Sequence, residues 1–139
     1  MSDIIHASCV AIDKEGLLII GGSGSGKSSL ALQLLAFGAE LVSDDRTQLS
    51  YSGGRVHAQA PDTIKGLIEA RGVGILHAPF QSSIPIKAIV DLDQIETERF
   101  PKERNLTLLG LSHPLFYKVE AIHFAASLWH MMRHGRSLR

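Results

Sequence analysis

The chain has 139 residues, of which 45% are hydrophobic and 20% are charged, a balance that predicts one globular domain over residues 1–139. Lysines and arginines number 14, as do aspartates and glutamates, so the chain lacks the basic excess of a nucleic-acid-binding protein. A single cysteine and the absence of an apolar run of about 20 residues favour a cytoplasmic protein that does not span a membrane.

The N-terminal segment predicts two strands joined by a short turn. Residues 5–12 are rich in β-branched and small apolar residues, which predicts a strand that buries Cys9 and has His6 at its beginning. Residues 13–16 have the composition of a turn, in which Gly16 is able to take a positive φ. Residues 17–20 are continuously apolar and predict a buried strand, which the turn would pair with the first one in an antiparallel hairpin.

The rest of the chain is predicted to form one helix, then several short strands, and then a final helix. Leucines at helical spacing predict a helix over 27–37 that ends at Gly38. Further strands are predicted at 39–42, at 47–51 and 55–59 as a second hairpin, and at 86–92, 106–109 and 116–119, before a helix over 121–132. This pattern predicts the α/β class, with a mixed sheet flanked by helices.

A glycine-rich loop connects the second strand to the first helix. It matches the pattern G-x-x-x-x-G-K-S in full and comprises Gly21, Gly22, Ser23, Gly24, Ser25, Gly26, Lys27 and Ser28. Glycines allow backbone N–H groups to turn towards phosphate oxygens, and the helix adds its positive end. Lys27 can reach the β- and γ-phosphates and the Ser28 hydroxyl can bind Mg²⁺. The loop therefore predicts binding of the phosphates of a nucleotide together with Mg²⁺.

Charged residues that follow the loop in sequence predict phosphoryl-transfer chemistry. Asp44 and Asp45 end a strand, so one carboxylate can serve Mg²⁺ while the other accepts a proton from an attacking hydroxyl, provided the backbone bends between them. Glu69 and Arg71 precede Gly72. They could bring a carboxylate to the metal and a cation to the phosphates, or form a solvated charge pair.

These features occur in one order that resembles the catalytic domain of bacterial HPr kinase/phosphorylase. They are His6, the loop, the segment L-V-S-D-D-R ending at Arg46, and the segment E-A-R-G-V-G-I-L beginning at Glu69. The resemblance implies an ATP-dependent kinase that phosphorylates a serine of the phosphocarrier protein HPr and reverses this by phosphorolysis. It also implies a fold similar to phosphoenolpyruvate carboxykinase, with the phosphate loop on a mixed sheet.

The resemblance also implies roles for individual residues. Asp44 would be the acid/base at the substrate serine, His6 and Arg71 would lie in the active site, and Asp45 and Glu69 would join Ser28 at the metal. The chain would be a short form with the catalytic domain only, cytoplasmic and assembled as a homo-oligomer, a hexamer in the family. The family's glycine-rich, basic loop has no counterpart in residues 77–87, which contain no glycine.

Two other functions stay open at this point. One is a kinase for a small hydroxylated molecule that uses the same core. The other is a nucleotide-binding switch with little catalysis, whose output is contact with a partner. Asp44 beside Asp45, together with His6, favours an enzyme, because a switch needs no general base.

Overall fold

The computed structural model describes residues 2–137, which form ten strands, two α-helices and one short 3-10 helix. The first half contains β1 (Ser2–Ile12), β2 (Glu15–Ile20), α1 (Lys27–Phe37), β3 (Glu40–Ser43), β4 (Arg46–Ser52) and β5 (Arg55–Gln59). The second half contains the 3-10 helix (Asp62–Ile64), β6 (Leu67–Ala70), β7 (Gly74–His77), β8 (Ile84–Ile95), β9 (Asn105–Leu108), β10 (Leu111–Lys118) and α2 (Phe124–His134). No helix within this described range is long and apolar enough to cross a bilayer.

Eight of the strands form one mixed sheet in the order β2-β1-β4-β5-β8-β10-β9, with β3 paired to β1. The pairs β2–β8 and β8–β10 are parallel, and the other pairs in this sheet are antiparallel. Because β8 pairs with β5 at its start and with β2 farther along, β1, β2, β8, β5 and β4 close into a circuit. The predicted α/β class with a mixed sheet and two helices is confirmed.

Two hydrophobic clusters form the core, and β1 contributes to both. Ala7, Cys9 and Ala11 belong to a cluster whose buried members all come from strands. Val10 and Ile12 project to the opposite face, into the cluster that contains α1 and α2. The prediction that Cys9 is buried is confirmed, and burial raises the pKa of its thiol.

Most predicted elements are present, including both hairpins and the helix over Lys27–Phe37, while two N-terminal details are wrong. Gly16 lies within β2, and the positive φ values of the turn belong to Asp13 and Lys14. Gly16 allows close packing, because a Cβ there would lie 3.1 Å from Ile84 Cγ2 and from the carbonyl oxygen of Pro85, and these neighbours would have to shift. His6 lies inside β1, which begins at Ser2, and not at the beginning of the strand.

Buried His113 on β10 makes the stability of the fold depend on pH. Its side chain is 6% exposed and its Nδ1 has no hydrogen-bond partner among residues 2–137. Burial is the main cause that lowers the pKa of His113 below its ordinary value of 6.5. The unfolded chain therefore binds this proton more readily, so the stability that neutral His113 contributes is present above the unfolded pKa and lost as the pH falls through the folded pKa.

We expect His113→Gln to reduce the loss of stability on acidification from about pH 7.5 to about pH 5.5. Denaturant unfolding at the two pH values measures the loss for each variant. Wild type and His113→Gln are compared at the same two pH values, so that the effects of pH on the rest of the chain cancel. An unchanged pH dependence in His113→Gln would contradict the assignment.

Candidate active site

The glycine-rich loop, residues 21–28, leaves the end of β2 and enters α1, whose N-cap is Gly26. Gly21 has φ of 152°, and a Cβ at this position would lie 2.5 Å from Ser25 Oγ, so the tight turn requires glycine. Lys27 is only 5% exposed, and its Nζ donates to the carbonyl oxygens of Gly21 and Gly22, each at 3.0 Å. The loop thus surrounds a buried cation whose hydrogen bonds are made to the loop itself.

Asp44 and Asp45 form a tight corner between β3 and β4. The N–H of Arg46 donates to the carbonyl oxygen of Asp44 at 2.8 Å, which makes a three-residue turn centred on Asp45. Asp45 has φ of 67°, a conformation that non-glycine residues rarely adopt. This is the bend that the sequence required if both adjacent carboxylates were to serve one site.

Asp44 lies at the back of the corner and is fully engaged in hydrogen bonds. Its Oδ1 accepts from Ser28 Oγ at 2.6 Å and from Ser8 Oγ at 2.9 Å. Its Oδ2 accepts from the backbone N–H of Glu69 at 2.9 Å. The residue is 9% exposed, so its carboxylate binds the first turn of α1 to β1 and β6.

Asp45 lies at the front of the corner, with its side chain 60% exposed. The Nε2 of His6 donates to Asp45 Oδ1 at 2.6 Å, and the Nζ of Lys27 lies 3.9 Å from the same oxygen. The Oδ2 of Asp45 has no hydrogen-bond partner in the described range 2–137. This oxygen is therefore available to a ligand.

A cavity of about 320 Å³ opens where the loop, the corner and the β6–β7 hairpin meet. Glu69 from β6 and Arg71 from the hairpin turn line it opposite the loop. Of the predicted site residues, those that line the cavity are Ser23, Gly24, Gly26, Lys27, Ser28, Asp45, Glu69 and Arg71. The others lie behind this lining: His6 and Asp44 contact it through hydrogen bonds, and Gly21, Gly22 and Ser25 form the base of the loop.

Three residues at the site were not predicted from the sequence: Ser29, which lines the cavity, and Ser8 and Asp93, which lie behind it. Ser8 is fully buried on β1; its hydroxyl donates to Asp44 Oδ1 and accepts from the N–H of Asp45 at 3.0 Å, so it orients the corner. Asp93 on β8 accepts a hydrogen bond from the N–H of Gly22 at 2.9 Å. The D-L-D pattern at the end of a buried strand was a signal for Asp93, because parallel β2 and β8 end at the same edge. Ser8 has no local signal.

Comparison with known proteins agrees with this arrangement. The sequence model described as HPr Serine kinase C-terminal domain matches residues 1–108. The HPr kinase/phosphorylase of Clostridium tetani is 32% identical over 111 residues, covering 77% of this chain and 36% of that protein. The HPr kinase/phosphorylase of Mycoplasmopsis pulmonis is 42% identical over 72 residues, covering 52% of this chain and 23% of that protein. The chain thus spans roughly a quarter to a third of the length of these relatives.

A solved structure extends the comparison to the whole fold. The structure of the Hpr(Ser) kinase/phosphatase from Coxiella burnetii superposes with a TM-score of 0.78 and 25% sequence identity, covering 94% of this chain and 88% of that chain. The family match over most of the sequence and this superposition lead to one conclusion. The chain belongs to the family of the HPr serine kinase C-terminal domain.

Proposed function

We propose that this domain binds ATP with Mg²⁺ at the glycine-rich loop and transfers the terminal phosphoryl group to a serine hydroxyl of HPr. The observation that carries the proposal is the position of the Asp44–Asp45 corner beside Lys27 and Ser28. Asp44 is hydrogen-bonded to Ser28, and Asp45 approaches Lys27 with one free carboxylate oxygen. A phosphate-binding loop and a general base then share one cavity.

The residues at the loop have the chemistry that Mg²⁺-ATP requires. Mg²⁺ prefers oxygen ligands and is commonly held by one or two carboxylates together with substrate phosphates and waters. Ser28 Oγ and Asp44 Oδ1 supply two adjacent oxygens, and Ser25 Oγ is a buried hydroxyl without a partner in the described residues. We assign Ser28 to the Mg²⁺ shell, with Asp44 behind it as the acceptor that orients the Ser28 hydroxyl, and Glu69 at the open side of the shell. When bound, Mg²⁺ would neutralise charge on the phosphates.

We propose that Asp45 is the general base and Asp44 serves the metal, the reverse of the assignment made from the family resemblance. Asp44 already accepts three hydrogen bonds and is buried, so its oxygens are not free to take a proton from a protein substrate. Asp45 is open to the cavity, and its Oδ2 is free among residues 2–137. A general base must reach the hydroxyl that it deprotonates, and Asp45 meets this condition.

His6 and Arg71 support this chemistry from opposite sides. His6 donates to Asp45 Oδ1, which fixes the carboxylate while Oδ2 accepts the serine proton. Arg71 lines the cavity and carries a charge without a carboxylate partner within residues 2–137, so we assign it to the transferring phosphoryl group. In the reverse direction, inorganic phosphate would attack the phosphorus of phosphoserine, forming pyrophosphate and breaking the bond to the serine oxygen, and the same Asp45 carboxyl would return the proton to that oxygen.

The surface beside Arg71 favours a protein over a small molecule as substrate. Val73 is 77% exposed and Ile75 is 63% exposed on the same hairpin. Neighbouring exposed apolar side chains at the mouth of a site are a feature of protein-binding surfaces. A small hydroxylated metabolite would leave both side chains in water.

A transfer assay tests the proposal. The chain is incubated with Mg²⁺ and ATP labelled at the γ-phosphate, together with HPr, HPr in which the acceptor serine is alanine, or a metabolite extract. We expect label only on HPr that retains its serine, and loss of that label as pyrophosphate when phosphate is added. Label in a metabolite would support the small-molecule kinase. Nucleotide binding with no transfer would support the switch, and both results would contradict the proposal.

A further inference from the structure

A second and larger cavity lies away from the glycine-rich loop. Its volume is about 740 Å³, and it shares no lining residue with the cavity at the loop. It is bounded by β10, α2 and the segment that follows β8, residues 96–104, which we call the strap. This volume falls in the range of about 300–1,000 Å³ that is typical of sites for small organic molecules. None of its residues takes part in the chemistry proposed above.

The inner wall of this cavity is apolar and aromatic. Phe116 and Val119 line it from β10 and the residues that follow, and Phe124, Leu128 and Met131 line it from α2. Leu128 is anchored in the core, which holds this wall in place. Such a surface favours the ring system of an organic ligand, because rings bury apolar area while losing little conformational freedom.

Glu96 and Arg104, the first and last residues of the strap, form an ion pair that contributes no net charge to the rim of the cavity. Arg104 donates to both carboxylate oxygens of Glu96, and its guanidinium carbon lies 4.1 Å from the centre of the Tyr117 ring. The hydrogen bond from Arg104 is the main cause that lowers the pKa of Glu96, so this carboxylate stays ionised at neutral pH. The pair is internally neutral and leaves the charge at the rim to other residues.

The rest of the charged rim is predominantly cationic. Arg99, Lys102 and Arg136 line the cavity, against one other carboxylate, that of Glu103. None of the three cations forms an ion pair with a carboxylate in the range 2–137. Arg99 lies 5.2 Å from the Phe100 ring centre, and Arg136 donates to the carbonyl oxygen of Pro101 at 3.3 Å. Arg99 and Lys102 are therefore free to bind an anion.

We propose that this cavity binds a small organic anion. Its aromatic or alicyclic body would lie against Phe116 and Met131, and its carboxylate, sulfonate or phosphate group would be held by Arg99 and Lys102. The assignment rests on the combination of an apolar wall with unpaired cations on one rim. The apolar wall would bind the ring of the ligand, and the cations would bind its anionic group.

Calorimetric titration with 8-anilinonaphthalene-1-sulfonate, an aromatic sulfonate, tests the site without any nucleotide. The result is therefore independent of the kinase assignment. We expect one saturable site per chain, weakened about tenfold in the double variant Arg99→Gln/Lys102→Gln. The neutral analogue N-phenyl-1-naphthylamine should bind that variant as it binds the wild type. Lys14→Gln/Lys65→Gln, which removes the same charge from exposed positions elsewhere, should retain wild-type affinity for the sulfonate.

A second variant tests the cavity itself. Ser127 is exposed on α2 and lines the cavity, so Ser127→Phe should obstruct it and weaken both probes about tenfold. Thermal melting checks that each variant is folded, because partly unfolded chains also bind anilinonaphthalenesulfonate. The proposal would be overturned if the sulfonate bound Arg99→Gln/Lys102→Gln with wild-type affinity. It would also be overturned if both probes bound folded Ser127→Phe with wild-type affinity. The absence of one saturable site per chain would also overturn it.

Discussion

Replacing Asp45 by asparagine is expected to lower phosphoryl transfer to HPr by roughly 10²–10⁴-fold, the usual contribution of a general base. Asparagine keeps the shape of the side chain and its hydrogen bond from His6, but it cannot take the serine proton. Binding of Mg²⁺-ATP should change little, because Asp45 is open to the cavity and Asp44 is the residue bonded to Ser28. Single-turnover transfer at saturating Mg²⁺-ATP, with nucleotide affinity measured in parallel, checks both parts. By microscopic reversibility, phosphorolysis should fall by a similar factor.

Asp44→Asn is the matched control, since it makes the same chemical change at the adjacent position. It should first weaken Mg²⁺-ATP binding and lower thermal stability, because Asp44 joins Ser8, Ser28 and the N–H of Glu69. Transfer at saturating Mg²⁺-ATP should be reduced less than in Asp45→Asn. The opposite ranking, with turnover lost in Asp44→Asn and kept in Asp45→Asn, would restore the assignment made from the family resemblance.

Replacing Lys27 by methionine is expected to weaken ATP binding by roughly 10- to 100-fold and to abolish measurable transfer. This magnitude is that of one lost hydrogen bond to a charged group. Methionine keeps most of the length of this nearly buried side chain and removes only the cation. Isothermal titration with Mg²⁺-ATP measures the affinity.

The melting temperature of Lys27→Met distinguishes the loss of contacts with ATP from damage to the loop. In the structure, Lys27 Nζ binds the carbonyl oxygens of Gly21 and Gly22, so some loss of stability is expected without nucleotide. If the variant melts as the wild type does and still binds ATP with wild-type affinity, the glycine-rich loop is not part of the nucleotide site.

The sequence was informative wherever chemistry and structure are local. The glycine-rich loop, α1 and the adjacent acids Asp44 and Asp45 each occupy a short segment, so their residue types and spacing were sufficient to find them. The two hairpins were found for the same reason, because a short turn fixes which strands pair. The need for a bend at the two acids could also be stated from the alternation of side chains along a strand.

The features that escaped prediction depend on pairing between distant segments. The bond from Gly22 to Asp93 exists because β2 and β8 run parallel in a register that pairs Ile20 with Asp91. Ser8 became a site residue only when β1 came to lie beside β3 and β4. The different burial of Asp44 and Asp45 was equally hidden, because it depends on the φ angle at Asp45.

Because side chains alternate along β1, the alignment of this strand with its neighbours decides which of its side chains face the Asp44–Asp45 corner. His6 and Ser8 project to the active-site corner from the face that farther along carries Val10 and Ile12, while Cys9 enters the other cluster. Shifting β1 by one residue would exchange these faces and present Ala7 and Cys9 to the acids. The two-residue turn at Asp13 and Lys14 sets the alignment of β1 with β2, whereas the pairing of β1 with β3 and β4 sets its alignment at the corner. The position of His6 and Ser8 at the corner is thereby fixed by three neighbouring strands and not by β1 alone.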